Sequence, residues 1–115
     1  MDLNHLHLHV RDLGASCEWY GRYFGFREKW RDGDILFIEN DSRFDLALVR
    51  AAASESFPAW FHFGFRLETK EEVEAKFREM PVEAILQPLE DEGDGKLISF
   101  RITDPDGYKI EVYWE

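Results

Sequence analysis

Cysteine is nearly absent from this sequence: Cys17 is alone among 115 residues. No disulfide can form within the chain, so a small disulfide-stapled framework is excluded. No apolar stretch approaches the roughly 20 residues that a membrane-crossing helix needs. Basic residues are few against acidic ones, 14 to 24, and the net charge is −10. Such a surface repels phosphate backbones and anionic lipid, so neither nucleic acid nor a membrane is expected as a partner. The first ten residues read as a strand with three histidines and not as a secretory signal, and a cytoplasmic protein is expected. Apolar residues make up 44% of the chain and aromatics 16%. A chain of this length and content builds one compact domain with its own core.

Periodicity then divides the chain. Residues 3–11 alternate, with Leu6, Leu8 and Val10 on one face and His5, His7 and His9 on the other. Asp12 is placed to cap a helix over 13–24, with Leu13, Cys17, Tyr20 and Phe24 along one stripe and Gly25 as its stop. On this stripe Cys17 is a packing residue. Strands are predicted at 27–31, 35–39 and 44–50. Residues 51–58, small and polar with Pro58 near the end, form the expected linker. The same order then recurs. A strand at 61–67 sets Phe61, Phe63, Phe65 and Leu67 against His62, Gly64 and Arg66. Thr69 and Glu72 are spaced as a capping box, opening a helix with Val73, Phe77 and Met80 on one side. A strand at 82–86, a polar loop at 90–95, and a hairpin of 97–103 with 108–114 complete the repeat. The expected fold is α+β, with two βαβββ modules at about 1–50 and 60–115 within one domain. Identity between the halves is slight, so the repeat is architectural. The helices are expected to cover one face of each antiparallel sheet and leave the other concave.

Three strands separate polar from apolar faces. In the last, Ile110, Val112 and Trp114 oppose Lys109, Glu111 and Tyr113. The expected core face is Leu6, Leu8, Val10, Phe61, Phe63, Phe65, Ile110, Val112 and Trp114, packed on Tyr20, Phe24, Val73 and Phe77. The opposite face then gathers imidazoles and a carboxylate, the donor set of a first-row divalent metal. Spacing alone leaves the bland reading open, because a strand histidine is more often solvated or hydrogen-bonded than a ligand.

Motifs at both ends carry a resemblance. Asn4-His5-Leu6, Val10-Arg11-Asp12-Leu13, Trp19-Tyr20 and Phe24-Gly25-Phe26 resemble the opening of vicinal oxygen chelate proteins. Asp104-Pro105-Asp106-Gly107, followed by Tyr108-Lys109-Ile110-Glu111, resembles their closing motif. His62 stands between, where the family places its second histidine. This group includes glyoxalase I, fosfomycin-resistance transferases and extradiol dioxygenases.

The resemblance implies a divalent-metal enzyme acting on a small oxygen-chelating substrate, of lyase, isomerase or thiol-transferase type. It implies one metal per site (zinc, nickel, manganese or iron) held by His5, His62 and Glu111. A fourth ligand, found in glyoxalase I, is replaced here by Ala47. The fosfomycin transferases continue past their final glutamate with residues that clamp the substrate, whereas four residues follow Glu111 here. The alternatives are a metal-free drug-binding protein of the bleomycin-resistance type and an Fe(II) ring-cleaving dioxygenase. On the polar face His7 and Tyr113 are the candidate catalytic groups. Arg66 and Lys109 are the candidate substrate contacts, though Arg66 is equally placed to pair with a surface acid. Short relatives also imply a homodimer whose sites are shared between chains.

Overall fold

The computed structural model describes residues 1–52 and 56–115. The chain forms two compact units, Met1–Ser56 and Phe57–Glu115. The expected linker at 51–58 lies partly outside the described residues, at 53–55.

The first unit runs β1 (His5–Val10), α1 (Leu13–Phe24), β2 (Arg27–Asp32), β3 (Ile35–Glu39) and β4 (Asp45–Arg50). The sheet order is β1-β4-β3-β2. The helix carries the chain to the far edge, and a meander returns it beside β1. β4 therefore pairs with β1 in parallel, and the sheet is mixed where a wholly antiparallel one was expected. Asp12 caps α1, its side chain accepting from Ala15 N, and Gly25 ends it at φ 69°, a left-handed position that favours glycine. The buried stripe of α1 is Leu13, Ser16, Tyr20 and Tyr23. Cys17 and Phe24, expected on that stripe, are half-buried. The helix is thus rotated by about one position, and Trp19 covers the flank with rings against Tyr20, Tyr23 and Phe24. Burial raises the Cys17 thiol pKa, with Glu28 adding to the rise and Arg31 opposing it. That keeps the thiol protonated and unreactive. Leu8, Val10, Leu36, Ile38, Leu46 and Leu48 form the sheet's buried face.

The second unit repeats this plan with β5 (Phe63–Arg66), α2 (Lys70–Glu79), β6 (Ile85–Glu92), β7 (Leu97–Thr103) and β8 (Lys109–Trp114). Its order is β5-β8-β7-β6, again with a parallel pair, β5 and β8. The Thr69–Glu72 capping box forms as expected. Val73 and Met80 are buried, and Phe77 meets Phe100 edge-on at 5.3 Å. The strand expected at 82–86 begins only at Ile85, as the start of β6; Val82–Ala84 form a 3-10 turn instead, closed by Ala84 N donating to Pro81 O. Half of the loop expected at 90–95 is strand: β6 extends through Glu92, and the reversal tightens onto Gly93, Asp94 and Gly95, all at positive φ. β6 is an edge strand, so Pro88, which lacks an N–H, fits at the register shift between Gln87 and Glu90. Ile110 and Val112 are fully buried. Leu6, Phe61, Phe63, Phe65 and Trp114, expected in the core, are only half-buried.

The turn before β8 is built on Asp104. Its carboxylate is 5% exposed and accepts from both Asp106 N and Tyr108 N at 2.9 Å. Asp104→Ala strands both donors and should cost about 2 kcal/mol. Asp104→Asn keeps an acceptor oxygen and should recover most of it. Urea midpoints at unchanged slope will measure this.

Candidate functional site

His62 immediately precedes β5, one residue outside the strand expected to contain it. It is presented by a tight turn in which Phe61 N donates to Pro58 O. Phe57 stacks on Phe61 with ring centres 5.0 Å apart and also meets Tyr108 at 5.6 Å. Lys109 Nζ donates to Ala59 O at 2.7 Å and ties the turn to the start of β8. Lys109, expected at the substrate, thus holds the segment that carries His62.

β8 presents Glu111 on the face away from Ile110 and Val112, and His62 Nε2 lies 3.3 Å from Glu111 Oε2. Both side chains are about three-quarters buried, with exposures of 28% and 23%. The other ring nitrogen, Nδ1, lies 3.0 Å from Trp60 O. A carbonyl only accepts, so Nδ1 carries the proton. In the neutral ring Nε2 then directs a lone pair at a carboxylate oxygen. Two electron-rich atoms at that distance repel unless a cation, either a proton or a metal ion, lies between them. The same geometry serves an ion pair with a protonated ring or a pair of donors to a divalent ion, and a histidine whose Nδ1–H is fixed by an oxygen is the usual form of a metal-binding imidazole. Gly64, the β5 partner of Glu111, permits this placement. A Cβ there would lie 3.0 Å from Glu111 O and 3.5 Å from the Tyr113 ring.

In the first unit His5 and His7 are exposed on the open face of β1, with His9 half-buried beside them. His7 and His9 meet edge-on at 5.1 Å. His5 repeats the arrangement at His62, with Nδ1 3.0 Å from Asn4 Oδ1, leaving Nε2 outward. Ala47 pairs with His7 on β4 and offers no donor. Among the described residues no cluster of three or more His, Cys, Asp or Glu side chains is gathered closely enough to hold a metal ion. His62 and Glu111 are the two expected ligands brought together within a unit.

The remaining expected residues share the second sheet's open face. Tyr113 is half-buried on β8. Arg66 is exposed and its guanidinium donates to Glu115 O at 2.9 Å. Sequence reasoning missed Arg101. It pairs with Glu111 across β7 and β8, and its Nε is buried with no hydrogen-bond partner. The signal was present, since Ser99, Arg101 and Thr103 alternate with Ile98, Phe100 and Ile102.

Comparison with known proteins gives a family match over most of the chain. The model of the Glyoxalase/Bleomycin resistance protein/Dioxygenase superfamily matches residues 2–112. No curated protein sequence matches. Among solved structures, a possible glyoxalase from Bacillus cereus is 27% identical, with 97% of each chain covered and a TM-score of 0.78. The fosfomycin resistance protein FosX from Listeria monocytogenes is 18% identical, with 100% of this chain and 93% of that one covered, at 0.82. Lactoylglutathione lyase from Agrobacterium tumefaciens is 23% identical, with 98% and 92% covered, at 0.72.

Proposed function

Because the chain belongs to the Glyoxalase/Bleomycin resistance protein/Dioxygenase superfamily, we propose that it is a divalent-metal-dependent enzyme acting on a small substrate through adjacent oxygen atoms. The ligands in this reading are His5, His62 and Glu111, and the chemistry is of lyase, isomerase or thiol-transferase type. One observation carries it: His62 Nε2 lies 3.3 Å from the Glu111 carboxylate while Nδ1 is committed to Trp60 O. A nitrogen and carboxylate donor set of this kind suits zinc, nickel, manganese or iron. Three protein ligands leave coordination positions open to substrate. A bound divalent ion supplies Lewis acidity, which lowers the cost of negative charge developing on the substrate oxygens.

The chain's residues do the rest. The Trp60 carbonyl and Asn4 orient the two imidazoles. Lys109 fixes the His62 turn, and Gly64 lets Glu111 and Tyr113 sit close to β5. His7 shares the face of His5 and takes or returns a proton, with Tyr113 as the second catalytic group and Arg66 as a substrate contact. In this reading the protein is a cytoplasmic homodimer of single-domain chains. Its sites are shared, with His5 of one chain completing the pair His62 and Glu111 of the other.

The reading is tested by metal analysis of protein purified without chelators, followed by equilibrium dialysis of stripped protein against zinc, nickel, manganese and iron(II). One ion per chain, bound in the micromolar range or tighter, is expected for at least one of the four. No stoichiometric binding of any of them would leave the metal-free binding protein as the better account.

A further inference from the structure

The open face of the second sheet is ordered in rows across its strands. Gly64, Glu111, Arg101 and Gln87 lie in register, and beside them Arg66, Tyr113, Ser99 and Glu90. Arg66, Lys109 and Arg101 are the cations of this face. Arg66 donates to Glu115 O and Lys109 to Ala59 O, so both are tied to backbone carbonyls. Arg101 is not. Its Nε is buried with no acceptor, although Ser99 and Thr103 lie on either side of it along the same strand face. A guanidinium cannot shed its charge, and a buried donor left without an acceptor is rare in folded proteins. Such a donor is held ready for a partner.

The register names that partner. Arg101 and Glu111 stand opposite each other across β7 and β8. Directly opposed residues hold their Cβ atoms about 4.5–5.5 Å apart, and opposite charges so placed attract. Yet no ion pair joins these two among the described residues. Glu111 leans the other way, toward β5, where Gly64 carries no side chain and Oε2 comes within 3.3 Å of His62 Nε2. The carboxylate thus has an imidazole on one flank and a guanidinium on the other, with Oε2 engaged and Oε1 left over. Glu90, the other acid near Arg101 by register, is exposed and stands in the next row. Gln87, on the far side, is neutral.

We propose that Arg101 is a positioning residue of the metal centre: its Nε–H donates to Glu111 Oε1 and holds the carboxylate so that Oε2 and His62 Nε2 serve one ion. This rests on the reading of His62 and Glu111 as metal ligands. A ligating carboxylate is itself held by an outer hydrogen bond, and loss of such a partner typically costs about 10–100-fold in affinity. Against this stands Coulomb repulsion, because a fixed cation beside a dication disfavours it. The two effects have opposite signs. A bystander arginine weakens metal binding, whereas a positioning arginine strengthens it.

Equilibrium dialysis tests this with whichever of zinc, nickel, manganese and iron(II) wild type binds. Arg101→Met keeps the length of the stem and Arg101→Ala shortens it; both remove the charge and the donor, and either one that folds suffices. Each should bind the ion about tenfold or more weakly than wild type. Arg101→Gln also loses the charge, but its amide N–H lies the same number of bonds from the backbone as Nε. It should recover most of the affinity. In metal-free protein Nε has no acceptor to lose, so the urea midpoint of Arg101→Met should stay close to that of wild type. Unchanged or tighter binding by Arg101→Met and Arg101→Ala would overturn the proposal, leave the metal reading standing and free the guanidinium for an anionic group of the substrate. Equal loss in Arg101→Met and Arg101→Gln, with a lowered midpoint, would make Arg101 a structural residue and overturn it as well. A wild-type protein that binds none of the four ions would overturn both readings together.

Discussion

Glu111→Ala is expected to lower divalent-metal affinity by more than about 100-fold, since loss of even an outer partner of a ligand typically costs 10–100-fold. The fold should survive. Glu111 lies on the open face of β8, and its neighbours Ile110 and Val112, both at 0% exposure, hold the strand to the core. An unchanged circular dichroism spectrum and a cooperative urea transition, with a loss of no more than about 1–2 kcal/mol for removing the partly buried partner of His62, would establish this. Glu111→Gln separates the two roles further. Its amide keeps the side chain's size and can still hydrogen-bond His62 Nε2, but it is a far weaker metal donor than a carboxylate. Metal-free Glu111→Gln should therefore be at least as stable as Glu111→Ala, while binding metal far less tightly than wild type. Destabilisation beyond that range by both substitutions would instead assign Glu111 a structural role.

Much of the fold was legible because it is local. Period-2 alternation fixes the faces of β1 and β8, Asp12 and Gly25 mark the ends of α1, and Thr69 with Glu72 opens α2. The failures occur where local rules were overridden. Val82 and Leu86 suggested a strand, but Pro81 holds the start of a 3-10 turn, and pairing with β7 draws polar residues 90–92 into the sheet. The α1 stripe was displaced by about one position because tyrosines at 20 and 23, not Phe24, reach the core.

The candidate site was legible in composition but not in geometry. His62 and Glu111 stand 49 positions apart, and their approach depends on the parallel pairing of β5 with β8, which no local pattern encodes. The tautomer at His62 depends on a turn closed by an aromatic stack and Lys109.

The proposed sharing of sites gives an all-or-none prediction. Chains carrying His5→Ala lack a ligand in every site, and so do chains carrying Glu111→Ala; each homodimer alone should bind almost no metal. Suppose His5 of one chain meets His62 and Glu111 of its partner. A heterodimer of the two variants then has one site with both lesions and one with neither. Unfolding an equal mixture and refolding it should place about half the protein in heterodimers of twofold origin. About a quarter of the wild-type sites should return. If all three ligands came from one chain, every site in the heterodimer would carry one lesion and none would return. Dialysis against the ion that wild type binds, with differently tagged chains to isolate the heterodimer, reads the outcome directly. The dimer must persist at working concentration for the test to hold, and an interface that completes an active site should bury about 2,000 Å² or more. Sedimentation at falling concentration checks that condition. Full metal binding by a monomer would refute the shared site, and recovery on mixing would establish it, because no arrangement within one chain can restore a site from two broken copies.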